Sequence, residues 1–165
     1  FAANYGPDDD SDGLQVIDDP RTGRYTQQPS RPSGGGGLVS TAGDYLRFSQ
    51  MMLNGGELDG VRLLGRKTVE YMTRDHLPPE LCVGFGSDRQ PSRGFGLGFS
   101  VTRDAAAGGD VGSDGTYAWG GAANTAFWID PEEDLIAVFL TQFMPNSKYP
   151  VVAEFRALVY QAIVD

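Results

Sequence analysis

The last third of the chain constrains the fold most. Val151, Val152, Phe155, Leu158, Val159, Ala162 and Ile163 fall at i, i+1, i+4, i+7, i+8, i+11 and i+12. At 3.6 residues per turn they form one continuous apolar stripe on a helix. Asn146 or Ser147 can cap this helix, and Pro150 suits its first turn. Such a stripe must be buried, and the nearest apolar surface in sequence is Leu135-Ile136-Ala137-Val138-Phe139-Leu140. An unbroken apolar run of this kind suits a central strand covered on both faces. Asp130-Pro131-Glu132-Glu133-Asp134 precedes it as a polar hairpin loop, and Asn124–Asp130 supplies the partner strand. Thr116–Gly121 is a third strand. The expected class is therefore α+β, an antiparallel sheet backed by a C-terminal helix.

Earlier segments add to this frame. Phe95, Leu97, Phe99 and Val101 alternate with Gly96, Gly98 and Ser100, which predicts a strand with one bulky and one nearly bare face. Thr41-Ala42-Gly43-Asp44 fits a capping box, and Tyr45, Phe48 and Met52 make the apolar stripe of a helix that stops at Gly55-Gly56. A turn is expected at Asp59-Gly60 and a shorter helix over 66–74, with Val69 and Met72 inward. Residues 77–93, with Pro78-Pro79, Gly84, Gly86 and Pro91, read as a loop. The organisation expected is an irregular 1–37 with a short strand near Leu14–Ile17, a helical 38–76, and a sheet plus C-terminal helix over 94–165.

Composition excludes some roles. The net charge of −9 and the scattered basic residues argue against nucleic acid as a partner. No apolar run approaches the roughly 18 residues that a membrane-spanning helix needs. Cys82 is the single cysteine, so no intramolecular disulfide forms, and between Leu81 and Val83 it reads as a buried, inert thiol.

Nucleophile motifs are absent from these residues. Gly98-Phe99-Ser100 continues into Val101-Thr102, so no G-x-S-x-G exists, and Leu64 and Pro145 stand three residues before Lys67 and Lys148, so no S-x-x-K exists. His76 is the lone histidine and reads as a structural residue at a helix end. Gly94-Phe95-Gly96-Leu97-Gly98 lacks the last glycine of a dinucleotide fingerprint. Asp8, Asp10 and Asp12 before Gly13 resemble the opening of a calcium loop, but Gln15 replaces the usual aliphatic residue and Pro7 and Pro20 leave no room for flanking helices. A solvated acidic loop is the reading adopted, with no metal and no cofactor.

Tyr117-Ala118-Trp119-Gly120-Gly121-Ala122-Ala123-Asn124 holds the remaining chemistry. By residue type alone it is a strand that ends on two glycines and turns. Those glycines serve either packing and the turn, or the close approach of a substrate carbonyl to a backbone N–H.

The order and spacing of Gly35–Phe48, Met52–Gly56, Leu58–Leu64, Gly94–Phe99, Trp119-Gly120-Gly121, Phe127–Pro131 and Leu135–Thr141 resemble the class C β-lactamase and penicillin-binding-protein type of serine hydrolase. The resemblance covers nearly the whole chain. It implies the C-terminal part of the β-lactamase/transpeptidase-like fold, with the Ser-x-x-Lys nucleophile and the catalytic Tyr upstream of Phe1. The family's third motif, Lys-Thr-Gly or a variant, falls on Trp119, Gly120 and Gly121 as substrate-binding residues, and Ala122 would supply one backbone N–H of the oxyanion hole. The Trp-Gly-Gly form is similar to the family VIII carboxylesterases. Tryptophan cannot attract a β-lactam carboxylate as lysine does, so a small-molecule ester or amide is the implied substrate. The expectation is a fragment, inactive alone, of a bacterial hydrolase that acts through an acyl-enzyme. The alternatives are a non-catalytic binding or structural module, including a homo-oligomer formed through sheet edges, and a true β-lactamase.

Overall fold

The computed structural model describes residues 1–83 and 90–164; Gly84 and Gly86 of the expected loop lie outside the described residues. The described elements are β1 (Asn4–Pro7), β2 (Leu14–Asp18), α1 (Ala42–Leu53), β3 (Glu57–Leu58), β4 (Val61–Arg62), α2 (Arg66–Met72), β5 (Arg93–Phe95), β6 (Ser100–Thr102), β7 (Tyr117–Gly121), β8 (Thr125–Asp130), β9 (Leu135–Phe139) and α3 (Val151–Tyr160). The last five strands form one antiparallel sheet in the order β5-β6-β7-β8-β9. The class is α+β, with α3 behind the sheet.

Two layers of packing cover the sheet. On one face Val101, Tyr117, Phe127 and Ile129 meet Met51 and Met52 of α1 and Val69 of α2. On the other, Ala118, Trp128 and Ala137 meet Phe155, Val159 and Tyr160 of α3. α1 begins where the sequence indicates. The Thr41 hydroxyl accepts the Asp44 N–H at 3.1 Å and donates to the Asp44 carboxylate at 2.8 Å. Such a cap is worth about 1 kcal/mol. The Asp59-Gly60 turn joins β3 to β4 with both residues left-handed, at φ 51° and 76°, as a two-residue hairpin requires.

Several expectations need correction. The 95–101 alternation is no single strand. The chain reverses between β5 and β6, with Gly98 at φ 93° and the Gly96 N–H on the Phe99 carbonyl at 2.8 Å. Glycines that read as a bare strand face are there to permit the turn. β9 is covered on both faces, by Ile136 and Val138 in the α1 layer and Leu135 and Ala137 in the α3 layer. It is nonetheless the edge strand, paired among the described residues with β8 alone within its sheet. Apolar runs report covered faces and are silent on lateral pairing. α3 has no fully buried residue, and Leu158 is 58% exposed, so its stripe is only partly covered. Its N-cap is Pro150, with no side-chain cap from Asn146 or Ser147. The acidic run Asp8–Gly13 closes the hairpin between β1 and β2, through the Asp8 N–H on the Gly13 carbonyl at 3.1 Å. β1 itself had no periodic signal.

A polar knot fastens α3 to the sheet and to the 104–115 loop. Asp130 is fully buried and accepts the Ser113 N–H at 3.0 Å, the Glu132 N–H at 3.2 Å and the Tyr160 hydroxyl at 2.7 Å. Burial alone would raise its pKa; the hydrogen bonds from Tyr160 and Ser113 outweigh burial and hold it below the usual carboxylate range. Burial, and then the Asp130 partner, pushes the Tyr160 phenol up. Arg156 Nε lies 2.6 Å from Asp110 without hydrogen-bond alignment, and its guanidinium stands 4.9 Å above the Trp128 ring.

Candidate functional site

The four site residues predicted from sequence lie at one corner of the sheet, where β7 ends. Trp119, Gly120 and Gly121 are the last three residues of β7, and Ala122–Asn124 turn the chain into β8. A Cβ on Gly121 would stand 2.5 Å from the Thr125 hydroxyl, and one on Gly120 would stand 3.0 Å from the Thr125 carbonyl. A side chain at Gly121 would thus have to displace the Thr125 hydroxyl, and one at Gly120 would press on backbone. Asn124 closes the turn at φ 62°, which asparagine tolerates better than most residues.

The corner is open. Trp119 is 44% exposed, Gly120 and Ala122 are exposed, and the Trp119 ring meets Phe95 edge-on at 5.3 Å. Among the described residues no acceptor takes the Ala122 N–H. The rest of the turn is held. The Asn124 N–H donates to the Gly121 carbonyl at 3.1 Å, and the Phe143 N–H donates to the Ala123 carbonyl at 3.1 Å. The Thr141 hydroxyl lies 2.7 Å from the Asn124 carbonyl and 3.3 Å from that of Ala123. The arrangement offers one unclaimed backbone donor beside an aromatic wall, and none of Trp119, Gly120, Gly121 and Ala122 carries a nucleophilic side chain. A cavity of about 310 Å³ is lined by Asn54, Glu57, Leu58, Asp59 and Gly60, away from this corner in sequence and in lining.

Other residues weighed from sequence lie elsewhere. His76 places Nε2 2.7 Å from the Tyr71 carbonyl and its ring edge-on to Tyr71. Cys82 is half-buried, so the expected buried thiol is not found; the loop carrying it leaves the thiol partly in solvent. Phe95, Asn124 and Thr141 support the corner and were not singled out from sequence. Asn124 carried a signal, an asparagine in a short connection between strands. Thr141 had none, because its partners are remote in sequence.

The family model Beta-lactamase matches residues 2–161. Protein Rv1367c of Mycobacterium tuberculosis (strain ATCC 25618 / H37Rv) is 42% identical over 134 residues, which is 78% of this chain and 33% of that protein. The chain thus spans a third of the length of the curated relatives it matches. Among solved structures, EstCE1, described as a hydrolase with promiscuous acyltransferase activity, superposes with a TM-score of 0.77 at 23% identity, over 96% of this chain and 43% of its own. The LovD6 mutant of simvastatin synthase from Aspergillus terreus gives 0.76 at 23% identity, over 97% and 42%. These two likenesses speak for the fold, and they accord with the C-terminal portion of the β-lactamase/transpeptidase-like architecture. With the family model covering nearly its whole length, the chain belongs to the Beta-lactamase family and is related through it to the serine hydrolases.

Proposed function

We propose that this chain supplies one wall and one oxyanion donor of an acyl-transfer site in a longer serine hydrolase. The Ala122 N–H stabilises the oxyanion of the tetrahedral intermediate, and Trp119 provides the apolar wall. The attacking serine, its Ser-x-x-Lys lysine and a proton-transferring tyrosine belong to the rest of that protein. In the reaction the serine Oγ bonds to the substrate carbonyl carbon and the alcohol or amine leaves with a proton. Water then attacks the acyl-enzyme and releases the acid. The observation that carries this reading is an exposed Ala122 whose N–H has no acceptor among the described residues, at the end of a solvent-facing Trp-Gly-Gly. Substrate choice follows from Trp119. An indole offers stacking and dispersion and no countercharge, which favours an uncharged ester over an anionic β-lactam.

The division of labour makes the isolated chain inactive. Purified residues 1–165 are expected to release p-nitrophenol from p-nitrophenyl butyrate no faster than a heat-denatured control, while the full-length protein turns the ester over. Turnover by the pure chain would refute the assignment of the nucleophile to the rest of the protein.

A further inference from the structure

We propose that Thr141 is a positioning residue that sets the direction of the Ala122 N–H; the proposal rests on the oxyanion role of Ala122. The Ala122 N–H belongs to the peptide plane between Gly121 and Ala122. In a trans peptide the C=O and N–H point in opposite directions, so whatever holds the Gly121 carbonyl aims the Ala122 N–H. That carbonyl accepts the Asn124 N–H at 3.1 Å, and it is thereby turned into the loop while the Ala122 N–H is turned out of it. Asn124 must in turn be held, because it sits at φ 62°, a left-handed conformation that asparagine tolerates better than most residues but adopts less freely than glycine. The residue is 5% exposed, and its own carbonyl takes the Thr141 hydroxyl at 2.7 Å. A hydroxyl has one proton to donate. The shorter contact assigns that proton to Asn124, leaving the Ala123 carbonyl to the Phe143 N–H at 3.1 Å.

Thr141 is firmly seated. It lies two residues beyond the end of β9, in the segment leading to Met144. That segment is fixed from its other side by β1, through the Tyr5 N–H on the Gln142 carbonyl at 2.9 Å and the Met144 N–H on the Tyr5 carbonyl at 2.8 Å. The relay runs from the Thr141 hydroxyl to the Asn124 carbonyl, from the Asn124 N–H to the Gly121 carbonyl, and so to the Ala122 N–H. Only its last member, the Ala122 N–H, touches substrate. Its effect is to keep a backbone donor preorganised, so that no reorientation is needed when charge develops on the carbonyl oxygen.

The test is made in the full-length protein with p-nitrophenyl butyrate. The initial burst of p-nitrophenol counts folded active sites, so that kcat refers to them alone. Thr141→Val keeps the shape and removes the hydroxyl. It is expected to lower kcat about tenfold, the effect of losing one hydrogen bond of roughly 1.4 kcal/mol, with KM within about twofold of wild type, since ground-state binding is untouched. Thr141→Ser keeps the hydroxyl and is expected to restore kcat to within about threefold. Two results overturn the proposal while leaving the role of Ala122 standing: Thr141→Val at wild-type kcat in a protein where Ala122→Pro lowers kcat by about 10²–10³-fold, or equal losses in the Ser and Val variants. If Ala122→Pro itself leaves turnover unchanged, the oxyanion assignment fails and the proposal falls with it.

Discussion

Truncation of Trp128 to alanine is expected to remove about 3–5 kcal/mol of stability, the range for a large aromatic taken out of a core. Trp128 is 1% exposed. Its ring packs on Phe155 at 5.8 Å and lies under the Arg156 guanidinium, so one side chain supplies much of the floor on which α3 rests. α3 has no fully buried residue of its own with which to make up the loss. Against a whole-domain stability of about 5–15 kcal/mol the change is large. Urea denaturation followed by far-ultraviolet circular dichroism should show a lower midpoint. Trp128→Phe should cost clearly less, because the indole N–H has no hydrogen-bond partner among the described residues and its removal takes a buried unsatisfied donor away. A Trp128→Ala cost below about 1 kcal/mol would mean that α3 is not held by this contact.

Ala122→Pro is expected to reduce kcat of the full-length protein by about 10²–10³-fold, the effect of deleting one oxyanion donor. Proline removes the N–H, and because it also fixes its own φ and restricts Gly121 before it, kcat is referred to the active sites counted by the initial burst. Ala122→Gly keeps the donor and serves as the control, with turnover close to wild type. Steady-state hydrolysis of p-nitrophenyl butyrate by the two variants decides the matter. A proline variant within about threefold of wild type would remove Ala122 from the chemistry.

Much of this molecule can be read from local sequence. Thr41 and Asp44 mark the start of α1 because a cap is a contact across three residues, and Asp59-Gly60 marks its hairpin because a two-residue turn demands left-handed backbone. The corner at Trp119–Ala122 was found through resemblance, since Trp-Gly-Gly by itself distinguishes poorly between a turn and a site. Other features were hidden for definite reasons. Alternation from Phe95 to Val101 has the period of a strand, yet Gly98 lets the chain fold back on itself there, and periodicity carries no direction. The stripe of α3 specified an apolar face and not how much of it would be covered. The roles of Asn124 and Thr141 depend on contacts across 17 residues, which no short window contains.

β9 has a further consequence, in how the chain behaves in concentrated solution. Among the described residues its outer rim pairs with no strand of its sheet, so it presents backbone donors and acceptors along the most apolar run in the sequence. Copies of the chain that approach along that rim repel one another through their shared charge of −9. That repulsion reaches about 8 Å at physiological ionic strength and about 3 Å at 1 M salt. It fades as salt is raised and as pH approaches the isoelectric point near 4.5, the conditions under which the open rim is least protected.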